Sequence, residues 1–192
     1  MKVKEVFKEV FTGCNMTNAV SDDEKVKDIY TLQKDSIEYT NIIVNKLTRK
    51  RISNDVKKKY FMSDRDIVVY VKKPYKAGTY RFNNDLEVII PNNFIILRDI
   101  NMDLYSFIFV TNYLEKIGID KYVKEHNIEG NLTIENIENI ELPDIPKEKQ
   151  MKISNLINNI NERSSIYSII LENDDQIIRY ALKEVIGDND DK

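Results

Sequence analysis

The chain has 192 residues, of which 42% are hydrophobic and 32% are charged, which suffices for one domain with its own core plus a further element. A single cysteine, Cys14, excludes an internal disulfide framework, and with a single histidine, His126, cysteine- or histidine-based metal sites are not expected. The charged N-terminus and the absence of an apolar run of about 18 residues argue against a signal peptide and a membrane span, so we expect a cytoplasmic protein.

The first part of the chain is predicted to contain one helix, a loop and one strand. The apolar spacing indicates a helix over residues 4–11 that ends at Gly13. Residues 15–24 have the composition of a loop, and the β-branched residues 39–47 are typical of a strand. The basic residues 48–59 show no clear period, which predicts a loop or the edge of a sheet.

Strands are predicted in the middle of the chain, at residues 67–71, 86–90 and 94–97. Pro74 and Gly78 mark turns between the first two, so residues 72–81 are predicted to form an exposed connection rich in basic and aromatic side chains. Helices follow at residues 104–117, with Gly118 as C-cap, and at residues 120–126. The predicted fold class is therefore α+β.

A long helix is predicted at the end of the chain. Pro146 suits a first helical position, and neither proline nor glycine occurs from there to Ile186, which gives a helix of roughly 60 Å. A heptad stripe interrupted at Ser164 and Asp174 runs along it and comprises Ile153, Ile157, Ile160, Tyr167, Leu171, Ile178, Ala181 and Val185. A lone helix has no core, so this stripe needs a partner, as in a coiled coil. We expect a domain at residues 1–144, the helix at residues 145–186 and a disordered tail at residues 187–192.

The charge is distributed unevenly along the sequence. The net charge is −3, but residues 46–81 contain 12 lysines and arginines against 3 acids, whereas residues 99–192 contain 10 basic residues against 19 acids. A near-neutral total can therefore conceal a cationic surface, and DNA association depends on such a local patch. Charge runs are also typical of solvated surfaces, so the distribution alone leaves both interpretations open.

Several segments resemble the specificity subunits of type I restriction-modification systems. The most specific is the entry into the long helix, IELPDIPKEKQMKI at residues 140–153, preceded by GNLTIENI at residues 130–137. Weaker matches, in the family's order, are VFKEVFTG at residues 6–13, DRDIVV at residues 64–69, and NNFIILR at residues 92–98 followed by DLY at residues 103–105.

This resemblance implies a target-recognition domain followed by a conserved helix. A complete specificity subunit has two of each, so the resemblance implies a half-length form that binds half of a bipartite DNA target. It further implies a homodimer with antiparallel helices and a modification (methyltransferase) subunit as partner, with a restriction subunit as a further one.

The sequence predicts no catalytic chemistry. It contains no glycine-rich phosphate loop, no Rossmann fingerprint and no Asn-Pro-Pro motif, and its serines have no plausible histidine partner. We therefore expect no catalytic residue, metal or cofactor in this chain.

Basic side chains then become the candidate site, because lysine and arginine neutralise phosphates and read bases. The candidates for phosphate contact are Lys46, Arg49, Lys50, Arg51, Lys57, Lys58 and Lys59. The candidates for base contact are Lys72, Lys73, Tyr75, Lys76, Thr79, Tyr80 and Arg81. Two alternatives stay open: an interaction or assembly-inhibitor protein that kept the fold without binding DNA, and an enzyme of unrecognised type.

Overall fold

The computed structural model describes residues 1–19, 26–53, 56–80 and 86–186. The chain divides into two compact units, Met1–Met151 and Lys152–Lys192. Within the described ranges, no helix combines the length and the apolar character that crossing a bilayer would require. The predicted tail at residues 187–192 lies outside the described residues.

The first unit contains nine described strands. They are β1 (Phe7–Thr12), β2 (Val26–Thr31), β3 (Ile37–Glu38), β4 (Asn41–Ile42), β5 (Thr48–Ser53), β6 (Ile67–Tyr70), β7 (Lys76–Thr79), β8 (Val88–Ile89) and β9 (Phe94–Ile100). The helices in chain order are α1 (Val3–Val6), α2 (Met16–Ala19), α3 (Phe107–Tyr113), α4 (Ile119–Glu125), α5 (Ile134–Glu138) and α6 (Lys147–Ile186). Helix α6 begins in the first unit and forms the described part of the second.

A six-stranded central sheet has the order β1-β9-β6-β7-β4-β3. Its pairs are antiparallel except for β7 with β4. Side chains alternate between the two faces of a strand, so Ile67 and Val69 pack into one cluster with the helices α3 and α5, whereas Val68 packs into another. Buried side chains therefore cover both faces of the central strands.

A second sheet of three strands has the order β5-β2-β8. Strand β2 pairs antiparallel with β5 and parallel with β8. Ile29, Ile52 and Ile89 of this sheet share a small buried cluster with Cys14. Strand β2 has no counterpart among the predicted elements. Residues 48–59 were expected to be a loop or an edge, and residues 48–53 form the edge strand β5.

The predicted helix over residues 4–11 is wrong beyond its first turn. Only Val3–Val6 is helical, and Phe7–Thr12 is the strand β1, which pairs with β9 from Phe7 opposite Ile100 to Thr12 opposite Ile95. Apolar pairs at 6–7 and 10–11 fit a helical period, but backbone hydrogen bonds to a distant strand decide the conformation, because propensity is a weak prior.

Two other predicted boundaries are also corrected. The predicted strand over residues 39–47 is a hairpin turn followed by the two-residue strand β4 and a 3₁₀ turn, Val44–Lys46. Residues 15–24 were predicted as loop, but Met16–Ala19 forms a helical turn.

Gly118 does not end its helix, although a C-cap was predicted there. The helix continues through a π-helical segment, Leu114–Gly118, into α4, and Gly118 has right-handed φ and ψ of −62° and −46°. A Cβ at this position would lie 2.8 Å from the Tyr113 ring. The glycine therefore serves close packing against an aromatic ring.

The entry into α6 is held by a buried glutamine. Gln150 is almost fully buried, and its Oε1 accepts from the Ser106 N–H at 2.8 Å while its Nε2 donates to the carbonyls of Leu104 and Ile145 at 3.2 and 2.8 Å. A buried amide that satisfies three backbone groups fixes the start of the helix. The long helix itself is confirmed: Lys147–Ile186 is continuous over 40 residues.

In the second unit, the described residues are helical and their large apolar side chains are exposed. Among the predicted stripe, Leu171 is 68% and Val185 is 85% exposed, and only Ile157 is intermediate. The chain by itself therefore leaves the stripe uncovered, and its pairing stays a prediction.

Candidate nucleic-acid interface

The three basic residues of β5 point to two faces of the small sheet. Arg49 and Arg51 lie on one face, opposite Tyr30 and Asp28 of β2, whereas Lys50 lies on the other, opposite Ile29. Arg49, Lys50 and Arg51 are consecutive in the sequence, but the strand places their side chains on two different faces of the sheet.

Arg49 and Lys46 are engaged in contacts within the domain. The guanidinium of Arg49 donates to the Tyr30 hydroxyl at 2.7 Å and lies 5.0 Å from the centre of that ring, and this hydrogen bond raises the pKa of Arg49. Lys46 forms an exposed ion pair with Glu38. The charge of Lys46 is thereby partly compensated. Arg51 lies opposite Asp28 in the strand register, but no ion pair joins these two described residues.

A second group of cations follows β5. Lys57, Lys58 and Lys59 are exposed and lie at a 3₁₀ turn, Lys58–Tyr60. The Lys59 ammonium lies 5.4 Å from the ring centre of Phe11 and 5.1 Å from that of Tyr60. Since the rings do not neutralise these lysines, their charge remains available to an external anion.

This turn is attached to the central sheet by Arg98 of β9. Its guanidinium donates to the carbonyls of Lys59 and Phe61 at 3.1 and 2.9 Å, and to both Asp66 carboxylate oxygens at 2.8 and 2.6 Å. The Asp66 side chain is 0% exposed and the Arg98 side chain 14%. Hydrogen bonding to Asp66 raises the pKa of Arg98. Burial raises the pKa of the Asp66 carboxyl, and the hydrogen bonds from Arg98 oppose that shift. The pair therefore links the turn to the central sheet through a buried, hydrogen-bonded contact.

Sequence reasoning missed Arg98, although a signal was present. In β9, Arg98 directly follows the apolar run Phe94–Leu97 and is half-buried, and a buried charge inside a sheet requires a partner. Asp66 supplies it from the residue just before β6. The sequence cannot show that the same guanidinium reaches the backbone of residues 59–61.

The prediction of an exposed connection at residues 72–81 is wrong for residues 76–80. Strand β7, Lys76–Thr79, pairs with both β6 and β4, and Thr79 and Tyr80 are buried. The Thr79 hydroxyl donates to the Asp66 carbonyl at 2.8 Å. Pro74 lies in the turn, but Gly78 lies in β7, where it pairs with Val68 of β6. A Cβ at this position would lie 2.7 Å from the Ile37 side chain, so the glycine serves close packing rather than a turn.

The other residues of this connection differ in whether their side chains are exposed or hydrogen-bonded within the domain. Lys72 and Lys73 are exposed in the turn between β6 and β7. The Tyr75 hydroxyl donates to the Gly130 carbonyl at 2.8 Å, and the Lys76 ammonium donates to the Ile37 carbonyl at 2.7 Å. Arg81 lies outside the described residues.

The exposed lysines therefore form two groups at opposite ends of β6. Asp66 precedes β6 and is linked through Arg98 to Lys59, whereas Lys72 follows β6. Six extended residues separate the two ends, which corresponds to roughly 20 Å. Within the described part of the chain, no carboxylate lies within ion-pair distance of Lys50, Arg51, Lys57, Lys58, Lys59, Lys72 or Lys73. Lys50 is half-buried, whereas the other six are exposed and retain uncompensated charge.

Other chemistry finds little support in the described residues. Across residues 1–19, 26–53, 56–80 and 86–186, no group of three His, Cys, Asp or Glu side chains is arranged to hold a metal ion. The single cysteine, Cys14, is buried, and burial raises the pKa of its thiol. A raised pKa makes the thiol less reactive.

No protein-family model and no curated protein matches the chain by sequence. Several chains of solved structures match it in fold, including the following two. The first is a chain from a study of complex assembly and conformational transition of the type I R-M system, at a TM-score of 0.59 and 14% identity, covering 94% of this chain and 42% of that one. The second is the HsdS subunit of Thermoanaerobacter tengcongensis, at a TM-score of 0.57 and 14% identity, covering 96% of this chain and 48% of that one.

The chain thus spans less than half the length of either of these two structures. The match extends over nearly all of this chain, including both the mixed α and β domain and the long helix. The α+β fold class predicted from the sequence is confirmed, and the fold is that of type I restriction-modification specificity subunits.

Proposed function

We propose that this chain is a DNA sequence-specificity component of a type I restriction-modification complex. The observation that carries the proposal is the fold shared with type I specificity chains over 94–96% of this chain. A fold alone does not determine function. The uncompensated lysines described above supply the chemistry that a DNA-binding role needs.

Lys57 and Lys58 are the strongest candidates for phosphate contact. Both are exposed and free of ion pairs among the described residues, and Arg98 holds the backbone beside them. Each phosphate contact releases condensed counterions, so it contributes about −0.9 to the slope of log affinity against log salt concentration. Lys72 and Lys73, at the opposite end of β6, form a second and separate candidate group.

The role that we propose for the chain is binding rather than catalysis. In this proposal it binds half of a bipartite DNA target in the cytoplasm and directs a modification subunit, and in some assemblies a restriction subunit, to that site. Two copies pair through the apolar stripe of α6 as an antiparallel coiled coil. Two half-sites separated by a fixed spacer then follow from the symmetry of the dimer.

The experiment is a fluorescence-anisotropy titration of a labelled duplex with the purified chain, alone and with a modification subunit, at salt concentrations between about 50 and 200 mM. The double variant Lys57→Ala/Lys58→Ala is expected to weaken binding to all duplexes and to reduce the salt slope by about 2. The matched control is Lys116→Ala/Lys124→Ala, which removes two exposed lysines from the helical region.

An unchanged slope of log affinity against log salt concentration in the Lys57→Ala/Lys58→Ala variant would contradict the proposed phosphate contacts. If the wild-type chain binds no duplex in either setting, the function is not DNA recognition. The alternative is then an interaction or assembly-inhibitor protein, which the exposed apolar face of α6 would serve without DNA. Modification or cleavage of DNA by the chain alone would instead identify an enzyme.

A further inference from the structure

The turn between β3 and β4 has an unfavourable sequence for its geometry. Glu38 pairs with Asn41, so Tyr39 and Thr40 form a two-residue hairpin turn, and their φ angles are 46° and 68°. Asn-Gly is the usual sequence where both φ angles are positive. A bulky aromatic residue followed by a β-branched one is costly in the left-handed region. The presence of tyrosine and threonine at these two positions is therefore not explained by a contribution to the stability of the turn.

The surrounding structure holds the turn in place. The Thr40 carbonyl accepts from the Thr79 N–H at 2.9 Å, and the Lys76 ammonium bonds the Ile37 carbonyl one residue before the hairpin pair. Thr40 is 2% exposed. Tyr39, by contrast, is 71% exposed, which makes it the most exposed large hydrophobic residue among the described residues of Met1–Met151. A fixed backbone therefore presents an aromatic ring to solvent.

A chain of hydrogen bonds connects this turn to the lysines at residues 57–59. The Thr79 N–H donates a hydrogen bond to the Thr40 carbonyl, and the Thr79 hydroxyl donates one to the Asp66 carbonyl. The Asp66 carboxylate binds Arg98, which binds the Lys59 carbonyl. The ring and the lysines therefore lie at the same end of the central sheet, the end at which β6 begins.

Left-handed backbone is concentrated at this end. Five non-glycine residues have positive φ among the described residues, and four of them, Tyr39, Thr40, Arg65 and Asp99, adjoin the start of β6 or its neighbours. Arg65 immediately precedes Asp66 and its side chain is exposed. Strained residues persist where the surrounding structure over-determines them, and they cluster at binding sites.

We propose that Tyr39 is a specificity-determining residue that contacts DNA bases while Lys57, Lys58 and Lys59 contact phosphates. This inference rests on the proposed DNA-binding function. A tyrosine ring offers apolar contact to a thymine methyl group or to an opened base step, and its hydroxyl can hydrogen-bond a base edge. Because the backbone beneath the ring is already ordered, binding loses little conformational entropy.

The test uses selection of binding sites from a random-sequence duplex library by the full chain with its modification subunit. Wild type is compared with Tyr39→Asn and Tyr39→Phe. Asparagine favours left-handed φ, so Tyr39→Asn should melt at the wild-type temperature or higher while lacking the ring. Ile117→Ala is the matched control, because it removes a 55% exposed apolar side chain from the helical region.

We expect Tyr39→Asn to lose at least about tenfold in preference for the wild-type target, or to select a sequence changed at one or more positions. Its affinity for unrelated duplexes and its salt slope should stay unchanged, and Tyr39→Phe should keep most of the preference. If Tyr39→Asn selects the same target with the same preference, or loses affinity for all duplexes alike, the role of Tyr39 is overturned while DNA binding stands. If wild type binds no DNA, both proposals fail.

Discussion

Replacing Arg98 by methionine would leave the Asp66 carboxylate buried without its counter-ion. The Asp66 side chain has no exposed surface, and Arg98 supplies two of its hydrogen bonds, at 2.8 and 2.6 Å. Removing one partner of a buried ion pair costs about 3–5 kcal/mol. That is a large share of the about 5–15 kcal/mol by which a domain is usually stable.

Urea denaturation followed by circular dichroism measures this loss. With a slope of about 2 kcal/mol per molar urea, Arg98→Met should lower the midpoint by about 2 M. Arg65→Met is the control: Arg65 lies 3.4 Å from Asp64 at the surface, where both side chains are mostly exposed, so its loss should stay within about 0.5 kcal/mol.

A double-mutant cycle tests the reasoning further. Asp66→Asn/Arg98→Met buries no charge, and the amide oxygen of the introduced asparagine can still accept from the Ser63 N–H, which lies 2.8 Å from the Asp66 carboxylate in the wild type. The double variant should therefore be more stable than Arg98→Met alone. A loss below about 1 kcal/mol in Arg98→Met, or a double variant no more stable than the single one, would refute the account.

Two further predictions concern the helices. Glu115 accepts a hydrogen bond from the N–H of Ala77, and burial raises the pKa of its carboxyl. Because the folded pKa is raised, the contribution of Glu115 to the free energy of unfolding is fully present below its unfolded pKa. That contribution is lost as the pH rises through the folded pKa. Glu115→Gln should therefore gain stability relative to wild type between about pH 4 and pH 7 in urea titrations, and a pH-independent difference would contradict the assignment. Leu171→Asp/Ile178→Asp should convert a dimer of about twice the chain mass to monomer in light scattering, whereas Glu172→Gln should not; a wild-type monomer would contradict pairing through α6.

The sequence alone was sufficient for the elements whose signals are local. Helix α6 was predicted because Pro146 starts it and no proline or glycine follows before Gly187. The strands β6 and β9 were predicted because continuous β-branched and aromatic residues are typical of a strand buried on both faces. In each case the residues within the element contain enough information to identify it.

Tertiary structure decided the elements that depend on distant partners. Residues 7–12 have a helical spacing, but they form a strand because β9 lies beside them. Thr79 and Tyr80 look like part of an exposed loop, but β4 and β6 enclose them. Pairing between residues far apart in sequence leaves no local periodic signal, so the sequence could not reveal it.

The candidate interface shows the same division. The excess of lysine and arginine over residues 46–81 was evident in the sequence. Only the fold shows that Glu38 pairs with Lys46, and that Arg98 binds the backbone beside Lys58 without compensating the charge of the lysines there. The sequence determined that the chain has a basic segment and a long helix; the tertiary structure decided which cations face solvent, because burial and ion pairing depend on contacts across the chain.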